Sequence, residues 1–295
     1  LALCVGGCVL GLLVLLFVIR PKSLTVPVAP QGVPAAIQPR PSLPKTGDKY
    51  LVFGTGFLGS RIAEELLARG ESVRVFDLAP CERLQADDRV QCVTGDVKDA
   101  KAVLAACEGV QCVFHTIALR RLHQSMPYQL DPVYQTNSVG TNNVLDACSQ
   151  QGVRRLVFTS DCLVTVDTAS AKQGMTENDA YTVGELNHFG VTKALAEKFV
   201  RNAHGRPSRS GVLLTVCLRV GQLFGPGDNL ISPAVTAGQM SLLYPNSIRD
   251  YVYVDNAVDA HLVAEARLCE GMLGVAGQVF NITNQQPMSA LDFAG

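Results

Sequence analysis

The chain has 295 residues, 47% of them hydrophobic, and a formal net charge of −1, so it can build a substantial core and carries no charge excess that would hold nucleic acid. Its ten cysteines are scattered without C-x-x-C pairs, which argues against a metal site and against a disulfide framework. They read as free, apolar thiols in a reducing compartment.

Leu1 to Ile19 is a run of 19 residues without a charge, long enough to cross a bilayer core as one helix. Arg20 and Lys22 follow at once, with Arg40 and Lys45 further on, which predicts a single-pass anchor whose downstream domain faces the cytosol. A cleaved signal peptide is the rival reading, but no basic stretch precedes the apolar run and no small-residue cleavage site is evident. Residues 20–48 hold seven of the fifteen prolines, all from Pro21 onward, and predict an extended, semi-rigid tether. Residues 49–295 then form the folded domain.

The stretch from Tyr50 to Asp77 reads as strand, glycine turn, helix and second strand. Gly54, Gly56 and Gly59 follow the first strand in a G-x-G-x-x-G spacing. Gly54 permits the tight turn, Gly56 lets the backbone approach a pyrophosphate, and Gly59 lets the helix pack close to the strand. Phe57 and Leu58 open that helix, whose N-terminus faces the phosphates. Leu58, Ile62 and Leu66 give it a buried face, and Gly70 ends it. Asp77 closes the second strand, 18 residues after Gly59. An acid there accepts hydrogen bonds from ribose hydroxyls and repels a 2′-phosphate, which predicts NAD in preference to NADP.

Further strands are expected at Val90–Val93, Gln111–His115, Arg155–Ser160 and Val212–Arg219. Helices are expected at Ala100–Cys107 and Pro132–Gln151, with another containing Lys193. This alternation predicts an α/β fold, a Rossmann-type doubly wound parallel sheet, with a small C-terminal substrate lobe cut short at Gly295 and one transmembrane helix in front.

The motifs resemble the extended short-chain dehydrogenase/reductase family, in its 3β-hydroxysteroid dehydrogenase and sterol-4α-carboxylate 3-dehydrogenase branch. They run in order as GFLGSRI from Gly56, VFD from Val75, GDV from Gly95, VFHTIA from Val113, TNSVGTNNVLDAC from Thr136 and RRLVFTS from Arg154. TKALAEK from Thr192, LRVGQLFGPGD from Leu218 and DYVYVDNAVDAHLVA from Asp250 continue the series to Ala264. The resemblance implies that Asp96 and Val97 border the adenine and that His115 to Ala118 line the cofactor. It also implies that Asn137 helps to position Lys193, and that Arg219 to Gly221 pass the nicotinamide. The substrate would be a ring hydroxyl of a steroid or sterol-like molecule, the membrane that of the endoplasmic reticulum, and a homodimer is among the assemblies the family allows.

Two positions depart from the family. Phe189 stands where a Tyr general acid/base precedes Lys193 by one helical turn, and Asp161 replaces a Ser or Thr that hydrogen-bonds the substrate oxygen. Loss of a general acid/base costs about a hundredfold to ten-thousandfold in rate. The glycine turn is also read as one residue shorter than the family's. Asp161 could act as a base beside Lys193, but a structural ion pair between them is the preferred reading. His115 reads as packed and hydrogen-bonded, His188 as pointing about 100° round the helix from Phe189, and the cluster of Arg120, Arg121 and His123 as a solvated loop. Two classes therefore stay open: an anchored NAD-dependent steroid or sterol oxidoreductase, and a pseudoenzyme that binds NAD(H) or sterol as a sensor or interaction module.

Overall fold

The computed structural model describes residues 23–27, 43–81, 83–85, 87–120, 130–166, 174–181, 187–228, 239–243, 246–271 and 274–294. Residues 1–19, read as a membrane-spanning helix, lie outside the described residues, and no helix among the described ones is long and apolar enough to cross a membrane. Two compact units are present, the larger within residues 37–225 and 251–284, the smaller within 1–36, 226–250 and 285–295.

The larger unit is built on β1 (Lys49–Phe53), α1 (Phe57–Ala68), β2 (Ser72–Asp77), β3 (Val90–Thr94), α2 (Ala100–Ala106) and β4 (Cys112–His115). It continues with α3 (Leu130–Tyr134), α4 (Gly140–Gln151), β5 (Arg155–Asp161), α5 (His188–Asn202), β6 (Leu214–Val220), α6 (Val254–Cys269) and β7 (Val279–Ile282). The seven strands form one sheet in the order β7-β6-β5-β4-β1-β2-β3, with every neighbouring pair parallel. Strand order reverses between β1 and β4, and in sheets of this kind the ligand-binding crevice lies at such a reversal, outside the carboxyl ends of the strands.

Both faces of the sheet are covered, and this explains the almost continuous apolar runs in its central strands. Successive side chains of β1 alternate between two cores. Tyr50 and Val52 join the core under α1 and α6, with Ile62, Leu66, Val258 and Leu262. Leu51 and Phe53 join the core under α2, α4 and α5, with Val103, Val144, Leu145 and Val200. Leu58, Ile62 and Leu66 are all buried, as their spacing predicts.

Three segments differ from the sequence reading. The expected single helix over Pro132–Gln151 begins at Leu130 and is interrupted by a π-helical turn over Gln135–Val139, after which Gly140 packs so tightly on Val97 that a Cβ would meet its Cγ1 at 2.6 Å. Within the expected tether, Ser23–Pro27 is a strand, paired antiparallel with Gln239–Leu243 in the smaller unit. The larger unit also starts ahead of Lys49, because the Thr46 and Gly47 N–H groups donate to the Glu71 carboxylate at 2.6 and 3.1 Å.

Helix α1 comes very close to the end of β1: a Cβ on Gly59 would lie 1.9 Å from the Gly54 carbonyl oxygen. Because the obstructing atom is backbone, Gly59→Ala must displace the helix. The expected loss is roughly 1–3 kcal/mol of unfolding free energy, measurable as a lower urea midpoint.

Candidate active site

The glycine turn holds its shape for local reasons. Gly54 has φ +96°, its N–H donates to the Phe76 carbonyl at 2.9 Å, and a Cβ there would meet Thr116 Oγ1 at 2.7 Å. Gly56 differs: a Cβ on it would meet nothing within 4 Å, so the backbone is bare on that side. Gly56 is also the N-cap of α1, which has neither a side-chain cap nor an acidic residue in its first turn. The opening N–H groups, those of Phe57 and Leu58 among them, are thus left for an anion by the side chains around them.

Asp77 completes this corner. The Thr55 N–H and hydroxyl donate to its Oδ2 at 2.6 and 2.9 Å, and the Leu78 N–H donates to Oδ1 at 2.7 Å. The carboxylate is therefore pinned beside the turn. Asp96 follows β3 on the same edge, paired with Lys98 at 3.2 Å, and Val97 is buried next to Gly140. An open backbone cradle at a helix N-terminus, with an acid fixed beside it, fits a dinucleotide's pyrophosphate and ribose.

His115 ends β4 fully buried, its Nε2 2.9 Å from Thr141 Oγ1. Burial, reinforced by the charge of Lys193, pushes its pKa down to about 3, so it is a neutral packing residue. Ala118 lies exposed on the segment beyond it.

Across the crevice, Lys193 is buried on α5, its Nζ donating to the Thr159 carbonyl at 2.6 Å and lying 4.1 Å from the centroid of the Phe158 ring. Burial lowers its pKa to about 8, an effect that Asp161 and Glu197 oppose. Phe189 is buried one helical turn earlier, with the Arg120 guanidinium 5.3 Å over its ring. Asp161, at the end of β5, is half-buried, and the Leu163 N–H donates to its Oδ1 at 2.8 Å, which caps the short 3-10 turn Cys162–Thr165. Burial raises its pKa, against the pull of that hydrogen bond, Arg120 and Lys193.

One expected pairing is not formed. Lys193 takes the Thr159 carbonyl in place of an ion pair with Asp161, because that carbonyl lies at the sheet end the ammonium reaches. Asn137, in the π-helical turn, donates to Thr192 Oγ1 at 3.1 Å and accepts the Leu119 N–H at 2.6 Å, so it braces the neighbour of Lys193. The Arg219 side chain is held by Glu197, with Nη2 to Oε1 at 2.7 Å, and only its backbone leads on to Gly221, whose N–H donates to Ile282 at 3.2 Å. His188 is buried, and its Nδ1 has no partner among the described residues. Arg121 and His123 lie outside the described residues.

Glu197 is the residue that sequence reasoning missed. It accepts from Arg219, from the Tyr181 hydroxyl at 2.9 Å and from the Ser160 hydroxyl, and so joins α5, β5 and β6 beneath the site. Its place four residues after Lys193 was the available signal, since that spacing puts both on one helix face.

A fully parallel sheet with a glycine turn, an acid at the end of β2 and a buried lysine on α5 defines a Rossmann-type dinucleotide-binding fold. Residues 51–294 match the 3-beta hydroxysteroid dehydrogenase/isomerase family, and the chain belongs to it. A 3beta-hydroxysteroid-dehydrogenase/decarboxylase isoform 2 of Arabidopsis thaliana is 34% identical over 263 residues, covering 81% of this chain and 45% of that protein. A decarboxylating sterol-4-alpha-carboxylate 3-dehydrogenase of Bos taurus is 32% identical over 253 residues, covering 83% of this chain and 67% of that one. The chain thus spans about half to two thirds of such relatives. Among solved structures, MoeE5 in complex with UDP-glucose and NAD matches with a TM-score of 0.68 at 25% identity, over 83% of this chain and 79% of that chain.

The Glu197–Arg219 side chains are 0% and 1% exposed, so removing one partner strands a buried charge. Arg219→Met is expected to cost about 3–5 kcal/mol of stability, most of it recovered when Glu197→Leu is added, as read from urea unfolding.

Proposed function

We propose that this chain is the NAD-binding, hydride-transferring part of a dehydrogenase acting on a ring hydroxyl of a steroid or sterol-like molecule. The observation that carries this reading is the bare Gly56 backbone at the uncapped start of α1, with Asp77 pinned beside it. The family membership and the NAD held by the matched MoeE5 structure support it.

In this reading the N–H groups opening α1 receive the pyrophosphate, and Asp77 accepts from the adenosine ribose and repels a 2′-phosphate, which favours NAD over NADP. When bound, NAD supplies the hydride acceptor. Lys193, held against Thr159, sets a positive charge beside the reacting end of the crevice, and Asp96 and Val97 border the far end. Phe189 walls the site without offering a proton acceptor. The apolar run Leu1–Ile19 supports a membrane anchor for this domain, in the endoplasmic reticulum by family analogy.

Phe189 favours one second reading, a member of the family that binds NAD(H) without turning it over. Turnover of the 3β-hydroxysteroid dehydroepiandrosterone separates the two. Wild-type turnover within tenfold of the Phe189→Tyr, Asp161→Ser double variant rules out the second reading, and turnover only in the double variant rules out the first.

Fluorescence titration of NADH into the chain should give micromolar binding that Gly56→Val abolishes, because the added side chain fills the space the pyrophosphate needs. A folded wild type that fails to bind would overturn the proposal. Asp77→Ala should narrow the NAD over NADP preference by roughly tenfold to a hundredfold, the worth of a charged hydrogen bond, and an unchanged affinity ratio would remove Asp77 from the site.

A further inference from the structure

The dehydrogenase reading leaves a proton unassigned. Oxidation of a carbinol breaks its C–H and O–H bonds, and Phe189 accepts nothing from the second. Resting on that reading, we propose that Asp161 is the catalytic proton acceptor of this chain, taking the proton through the carboxylate oxygen that does not cap the 3-10 turn.

Four observations converge on it. Asp161 terminates β5 at the carboxyl end of the sheet, the end on which ligands of this fold lie. One carboxylate oxygen is fixed by the Leu163 N–H at 2.8 Å, which orients the group, and the other has no partner among the described residues. The residue is half-buried, so the free oxygen is reachable and partly screened from water. Finally, Lys193 forms no ion pair with it, because the ammonium is held on the Thr159 carbonyl two residues earlier in the same strand end.

Among the described residues, two cations act on Asp161. Lys193 faces it from α5 and Arg120 from the segment after β4, where the guanidinium also covers Phe189. On β6, Arg219 is paired with Glu197 of α5 and leaves Asp161 alone. Burial makes the carboxyl a better proton acceptor than an exposed one, and the Leu163 hydrogen bond and the two cations oppose that shift. In the step, the carbinol C–H passes as hydride to the nicotinamide of NAD+, the O–H proton passes to Asp161, the C=O bond forms, and the carboxylic acid later releases its proton to water.

The test uses the full chain and Asp161→Asn, in which the amide oxygen can still accept the Leu163 N–H. NADH affinity should be unchanged. Turnover of dehydroepiandrosterone with NAD should fall roughly a hundredfold to ten-thousandfold, and adding Phe189→Tyr to Asp161→Asn should restore it, which a merely structural role would not allow. A second readout needs no substrate. A carboxyl whose pKa is raised by folding binds its proton more tightly in the native state, so wild-type stability must fall as pH rises through that raised value, and the Asn variant must lack this fall. Asn turnover within tenfold of wild type, or identical pH dependence of stability in the two proteins, would overturn the proposal. A wild type that binds NADH but is inert, beside an active Phe189→Tyr, Asp161→Ser variant, would overturn it too while leaving NAD binding intact. Loss of NADH binding in the wild type would instead remove the underlying dehydrogenase reading.

Discussion

Residue 59 must have no side chain, because the Gly54 carbonyl occupies the place a Cβ would take, at 1.9 Å. That contact sets how close α1 comes to β1, and most of the site follows from it. With the helix drawn in, its first N–H groups emerge at the mouth of the crevice between β1 and β4, and Gly56 presents bare backbone there. Asp77 is then near enough for Thr55 to clamp its carboxylate. Without the close approach, the turn, the helix end and the acid would not share one corner.

The other half of the site depends on buried charge. Glu197 and Arg219 satisfy each other and gather Ser160 and Tyr181, so that three elements are locked beneath the crevice. A comparable cluster ties β5 to α6 on the opposite end of the sheet, where Arg155 pairs with Glu265 at 2.9 Å and with Asp48. Both are compensated, and a buried ion pair tolerates desolvation only when its hydrogen bonds are complete. Asp161 has half of that compensation, with the Leu163 N–H on one oxygen.

The substitution of Phe189 therefore removes less than it first suggests. It leaves Lys193 in place, held by a backbone carbonyl, and it adds an apolar wall under Arg120. A crevice keeping its cation, its acid and its glycine turn has the parts for cofactor binding.

The local features were legible in the sequence because each is settled within a few residues. The glycine spacing, the buried stripe Leu58, Ile62 and Leu66, the strands of the sheet and the acid at its second strand all depend on backbone sterics and on alternation along one segment. The partners of Asn137, Lys193, Arg219 and Glu197 were not legible. Asn137 meets Leu119 and Thr192 across a π-helical turn that no periodicity announces. Arg219 meets Glu197 only because β6 lies beside β5 in a register that sets Ser160 opposite Arg219. The sequence by itself determined a dinucleotide-type fold and the loss of a phenol, since both rest on residue type and spacing. Which carbonyl holds Lys193, and which carboxylate is left with a free oxygen, were decided by tertiary packing, because those contacts join strands and helices far apart in the chain.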